Sequence, residues 1–111
     1  MANKLLARFA LCLSFTAAAL VSMYGSSFAA QGSGIVVTYH LNVTIAGRGA
    51  CIRTNPALPG NGWACVYDTE QLYDELNALL SAAYITGKTC TIVTSGTDPF
   101  GNGIIQIAEC D

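Results

Sequence analysis

The sequence predicts a small, mostly β domain: five strands closed into a barrel, one α-helix between the third and fourth strands, and two disulfides stapling the whole. Three observations carry that expectation. Apolar residues fall at every second position from Ile35 to Ile45, the leucines of Tyr67–Lys88 recur at intervals of three and four, and the cysteines at 51, 65, 90 and 110 bracket turn-rich segments.

The domain must first be separated from what precedes it. Lys4 and Arg8, the apolar run "FALCLSFTAAALV" and the small residues of "GSSFAA" follow the charge, apolar centre and cleavage-site order of a secretory signal peptide. Ser27 and Ala29 stand three and one residues before a cut after Ala29, so residues 1–29 are expected to be removed and residues 30–111 to form a single domain. The apolar run is shorter than the ~20 residues a bilayer crossing needs, which argues against a retained membrane anchor. Cys12 leaves with the leader, and no small-residue lipobox precedes it. The expected destination is the periplasm or the cell exterior.

Charge excludes one class of partner. Residues 30–111 carry Arg48, Arg53 and Lys88 against Asp68, Glu70, Asp74, Glu75, Asp98, Glu109 and Asp111, a formal charge of −4. Nucleic acids are held largely through cations meeting phosphates, and three scattered cations do not supply that attraction. A chain of this size also buries too little apolar surface to be comfortable without covalent or oligomeric support.

The cysteines are the natural support. In an oxidising compartment an even set of thiols reads as disulfides. Four cysteines allow three pairings, and sequence order favours Cys51 with Cys65 and Cys90 with Cys110, because each pair brackets a turn-rich segment between candidate neighbouring strands. Closing a loop of about 15 residues contributes on the order of 3 kcal/mol in the chain-entropy account. A four-thiolate zinc site is disfavoured, since successive cysteines lie 14, 25 and 20 residues apart with no close pair. No metal or cofactor is expected.

The elements follow in order. Along "IVVTYHLNVTIAG", Ile35, Val37, Tyr39, Leu41, Val43 and Ile45 share one face, expected to be buried, while Val36, Thr38, His40, Asn42 and Thr44 share the other. Gly47 and Gly49 end or bend this strand, and "ACIRT" resumes an extended course. The stretch "CIRTNPALPGNGWAC" is a proline- and glycine-rich loop, and "GWACVYD" returns from it as a short strand. In "YDTEQLYDELNALLSAAYITGK", Asp68 is placed to cap the helix, Gln71 to bond back to the cap, and Tyr67 to staple onto Leu72. Leu72, Leu76, Leu79, Leu80 and Ala83 make the apolar stripe, the early acids suit the helix dipole, and Gly87 suits a left-handed stop. "TCTIVTSG" and "IIQIAEC" then read as strands joined by the turn-rich "TDPFGNG". Five strands with a helix after the third match the layout of an OB-like (oligonucleotide- and oligosaccharide-binding) barrel.

The residues "CIRT", an "AC" fourteen residues on, and a helix ending "LLSAAYITGK" resemble the B subunit of subtilase cytotoxin and similar small secreted bacterial proteins. The likeness covers Cys51 to about Lys88 and extends by strand order to the C-terminus. It implies a five-stranded barrel with one helix, assembly into a homopentameric ring, and recognition of cell-surface glycans. The chain lacks the family's serine-bearing sugar-contact motif, and Cys90 and Cys110 are not its closely spaced C-terminal cysteine pair, so no sugar-binding residue is carried over.

Catalysis is not expected. His40, the only histidine, falls on the polar face of its strand, every cysteine of the domain is expected to be oxidised, and no serine has nucleophile-elbow surroundings. Asp98 and Glu109 have turn and strand-end duties that explain both. Asn42-Val43-Thr44 has the form of a glycosylation acceptor, but the bacterial character of the leader argues against that use. Binding is the better class. Ligands of such barrels approach the loops joining strands one to two and four to five, which directs attention to Asn55, Asn61 and Trp63 and to Asp98, Phe100 and Asn102. The expected partner is a cell-surface glycan; the alternative is a small disulfide-stabilised structural or inhibitory protein whose rigid Cys51–Cys65 loop occupies a cleft in an exported protein.

Overall fold

A computed structural model describes residues 30–111; the expected leader, 1–29, lies outside the described residues. Its elements are β1 (Ala30–His40), β2 (Arg48–Asn55), β3 (Ala64–Tyr67), α1 (Tyr73–Thr86), β4 (Thr89–Thr97) and β5 (Gly103–Cys110). The five strands hydrogen-bond in a closed ring, β1-β2-β3-β5-β4, with β4 returning to β1. All neighbours are antiparallel except β3 and β5, a short parallel contact pairing Ala64 with Gly103 and Cys65 with Ile104.

Strand β1 departs from the expected pattern in both extent and facing. It begins at Ala30 and stops at His40, so residues 41–47 form the turn into β2 rather than more strand. Val36 is buried at 3% exposure, whereas Ile35 and Val37 are 44% and 51% exposed and Val43 is fully exposed. The apolar parity thus faces out over the first half of the strand. A bulge between Val36 and Thr38, against β2, is the cause: one extra residue resets the alternation, so Val36 and Tyr39 both pack toward the core although their parities differ.

Inside the ring lie Val36, Ile52, Ala64, Val66, Cys90, Ile92 and Ile105. Helix α1 covers the interior near the C-terminal end of β1 with Leu76, Leu80 and Ala83. It is tied there by Asn77, whose Oδ1 accepts from the Ala50 amide at 2.9 Å and whose carbonyl accepts from the Tyr39 hydroxyl at 3.4 Å. Leu58, from the loop after β2, fills the interior near the other end of β1, where a Cβ on Gly32 would sit 2.9 Å from its Cδ2. Gly34 is demanded by an equally close approach, since a Cβ there would meet the Asn55 and Pro56 carbonyl oxygens at 2.9 and 2.8 Å.

The helix starts five residues later than its expected cap. Turn hydrogen bonds from Glu70 N to Tyr67 O and from Tyr73 N to Glu70 O occupy the interval, Leu72 holds the cap position without a side-chain bond, and Leu72 is 56% exposed. Asp68 therefore does not cap the helix; its amide donates to Gly47 O at 2.8 Å and ties the chain to the β1–β2 turn. Tyr67 turns its hydroxyl to Asp98 instead of stapling onto Leu72. The helix stop is as expected: Gly87 has φ 68° and donates to Ala83 O.

Both disulfides form, Cys51–Cys65 and Cys90–Cys110. Each joins directly opposed residues of adjacent antiparallel strands, β2 to β3 and β4 to β5. Two covalent rungs so placed accord with an oxidising surrounding. No helix among the described residues is long and apolar enough to cross a membrane.

Candidate functional site

The site is assembled by the two long loops, and Asp98 is its organiser. As β4 ends, the Asp98 amide donates to Asn102 O at 2.8 Å, and its Oδ1 accepts from the amides of Phe100 and Asn102, each at 2.9 Å. Its Oδ2 accepts from Asn102 Nδ2 at 3.2 Å and from the Tyr67 hydroxyl. A short polar side chain that bonds the amides following it is the standard physical device for a tight loop. At 7% exposure Asp98 shapes the loop from within.

The electrostatics agree with that role. Burial pushes the Asp98 carboxyl up, but the hydrogen bonds from Tyr67, from the Asn102 and Phe100 amides and from the Asn102 side chain outweigh it and hold the group below the ordinary carboxylate range. The Tyr67 phenol is pushed up to about 12, first by burial and then by its bond to Asp98 and the charge there, with Arg48 pulling the other way.

The second loop is locked to the first. Asn61 Nδ2 donates to Asn102 Oδ1 at 2.9 Å, the Trp63 amide donates to Asn61 Oδ1 at 2.9 Å, and Gly103 N donates to Trp63 O at 2.9 Å. Two asparagines thereby bridge the β2–β3 and β4–β5 loops and place Trp63 between them. The Arg53 guanidinium lies 4.8 Å from the Trp63 ring centroid, a cation–π contact, and His40 meets the ring edge-on at 5.9 Å. Beside the ring opens a pocket of about 200 Å³ lined by His40, Arg48, Cys51, Trp63 and Asn102. That is smaller than the ~300 Å³ at which drug-sized sites begin, a space for a single sugar ring or a small charged group. Trp63 also walls an apolar crevice of about 90 Å³ with Leu58, Pro59 and Ile92.

Of the expected site residues, the structure brings Asn61, Trp63, Asp98, Phe100 and Asn102 together. Phe100 stands on the β4–β5 loop, 66% exposed, with its amide on Asp98. Asn55 lies apart, exposed at the end of β2 opposite Ile35, four residues along the strand from Cys51. The cysteines at 51 and 65 lie close by, Cys51 as part of the pocket wall; Cys90 and Cys110 close β4 onto β5.

Sequence reasoning passed over His40, Arg48 and Arg53. Their signal was compositional: two of the three cations of residues 30–111, and the one histidine, fall within fourteen residues of each other. The strand register then draws them in, since His40 pairs with Cys51 and Cys51 with Cys65, two residues from Trp63. Among the described residues no group of three histidine, cysteine or acidic side chains is arranged to hold a metal. No protein-family model matches the chain, and no curated protein matches it.

Proposed function

We propose that residues 30–111 form an exported, non-catalytic binding module of OB-like barrel type that recognises cell-surface glycans through the surface around Trp63. The observation that carries this reading is the convergence of Trp63, His40, Arg48 and Asn102 on one open pocket beside the Cys51–Cys65 bridge. An aromatic ring flanked by amide and cationic donors is the combination that grips a sugar, the ring meeting its C–H face and the donors its hydroxyls. Rigidity supports the reading as well. The disulfide and the Asn61–Asn102 bond tie both loops within the fold itself, which lowers the ordering cost of association. The ring order, with α1 between β3 and β4, supports the barrel type. The resemblance of Cys51–Lys88 to toxin B subunits points the same way and brings with it the homopentameric ring.

Glycan-array binding by the purified, oxidised protein tests the reading. Saturable binding to a defined glycan, lost in Trp63→Ala, is the expected result. An array without signal, together with a stable complex with an exported protein that glycans do not displace, would overturn it in favour of an inhibitory role. Native mass measurement tests the ring separately: a monomer at high concentration removes the pentamer and leaves the binding site standing.

A further inference from the structure

The two asparagines that tie the long loops together, Asn61 and Asn102, are each followed by glycine, Gly62 and Gly103. In an Asn-Gly pair the glycine amide nitrogen has no side chain in its way and can attack the asparagine's own carboxamide. The structure treats the two pairs differently. Gly103 N is committed to Trp63 O at 2.9 Å at the start of β5, and a Cβ on Gly103 would meet the Thr94 side chain at 2.8 Å, so that backbone is both bonded and crowded. Gly62 N takes part in no hydrogen bond among the described residues, a Cβ on Gly62 would meet nothing within 4 Å, and Asn61 is exposed. The Trp63 amide donates to Asn61 Oδ1 at 2.9 Å. That bond folds the carboxamide back across Gly62 and polarises the carbonyl at which attack occurs.

We infer that Asn61 is a site of spontaneous deamidation and that the reaction breaks the lock between the loops. Gly62 N bonds to Asn61 Cγ, the Cγ–Nδ2 bond breaks, and Nδ2 leaves as ammonia with the proton from Gly62 N–H. Water then opens the cyclic imide: at Cγ it gives aspartate, at the main-chain carbonyl isoaspartate. Either product replaces the Nδ2 donor with a carboxylate. Asn102 then sits between two carboxylates, because its Nδ2 already donates to Asp98 Oδ2 while its Oδ1 has lost the donor from Asn61. Turning the Asn102 amide over only moves the oxygen–oxygen contact to Asp98. The inference is independent of what the Trp63 surface binds.

The oxidised protein is incubated at mildly alkaline pH, folded and, in parallel, reduced and unfolded in urea, and then mapped by tryptic peptides and mass spectrometry. Cleavage after Arg53 and Lys88 places Asn61 and Asn102 in different peptides. In the unfolded chain both should deamidate at similar rates; in the folded protein Asn61 should lead by about tenfold or more, since the Gly103 amide reacts only from an opened loop. A folded protein in which Asn61 stays intact, or in which Asn102 keeps pace with it, overturns the site. The effect on the lock is read from Asn61→Asp, which should speed hydrogen exchange around Trp63 and Asn102. Combined with Asp98→Asn, which lets the turned-over Asn102 amide donate to residue 61 and accept from residue 98, it should cost less in urea unfolding than the sum of the two single substitutions. Additive losses, or exchange in Asn61→Asp no faster than in wild type, overturn the broken lock.

Discussion

Replacing Asp98 separates what its charge does from what its shape does. Asp98→Ala leaves four donors without their acceptor: the Tyr67 hydroxyl, the Phe100 and Asn102 amides and Asn102 Nδ2. Hydrogen bonds to a charged group contribute about 1.5–3 kcal/mol each, but donors near the surface regain water, so a total of about 3–4 kcal/mol is expected. Asp98→Asn keeps an oxygen at the Oδ1 position for both backbone amides and loses the charge and the Oδ2 acceptor, at about 1–2 kcal/mol. For a domain of this size, 1 kcal/mol moves the Tm by about 4–8 °C, so Asp98→Ala should lower it by roughly 12–32 °C and Asp98→Asn by markedly less. Acid sharpens the comparison. The folded carboxyl is held below its ordinary value of 3.8, so its stabilisation is complete above that value and disappears as pH falls through the lower folded one. Urea unfolding of the oxidised proteins near pH 7 and again near pH 2.5 reads both effects. The gap between wild type and Asp98→Asn should narrow in acid. Equal losses for the two variants at neutral pH, or a gap that does not narrow in acid, would refute the assignment of Asp98 as a charged organiser of the loop.

Three further outcomes can be measured on the same protein. Ile52→Ala, at a fully buried position of the ring interior, should cost about 2–5 kcal/mol in urea unfolding, because the surrounding strands close the cavity only in part. Gly34→Ala should destabilise by about 1–3 kcal/mol in the same assay, since the new methyl meets backbone rather than a side chain that can swing aside. Removing the Cys51–Cys65 bridge by paired serine substitution should cost about 3 kcal/mol and increase hydrogen exchange around Trp63, whereas removing Cys90–Cys110 should cost a similar amount and leave that loop comparatively protected.

Trp63 shows how far the site could be read before the fold was known. A lone tryptophan between a glycine-rich loop and a cysteine marks a presented ring, and the "TDPFGNG" turn marks its counterpart; the structure brings five of the six candidate residues together. Asn55 did not join them, because it occupies the last position of β2, and the chain travels the whole loop before reaching Trp63. His40, Arg48 and Arg53 were invisible as a group. His40 and Arg48 are separated by the β1–β2 turn, and Arg48 and Arg53 lie at different points along one strand. Only the pairing of β1 with β2 and β2 with β3 draws all three toward the same ring.

Local chemistry, legible along the chain, determined the sulfur pairing, the number of strands, the existence of one helix and its stop at Gly87. Each depends on residues close in sequence or on a simple nesting of segments. Tertiary structure decided which face of β1 looks inward, where α1 begins, and that Asp98 bonds Tyr67 while Asn61 bonds Asn102. The physical reason is that alternation counts residues, but a bulge is defined only against a partner strand, and a hydrogen bond between loops exists only once the ring has closed.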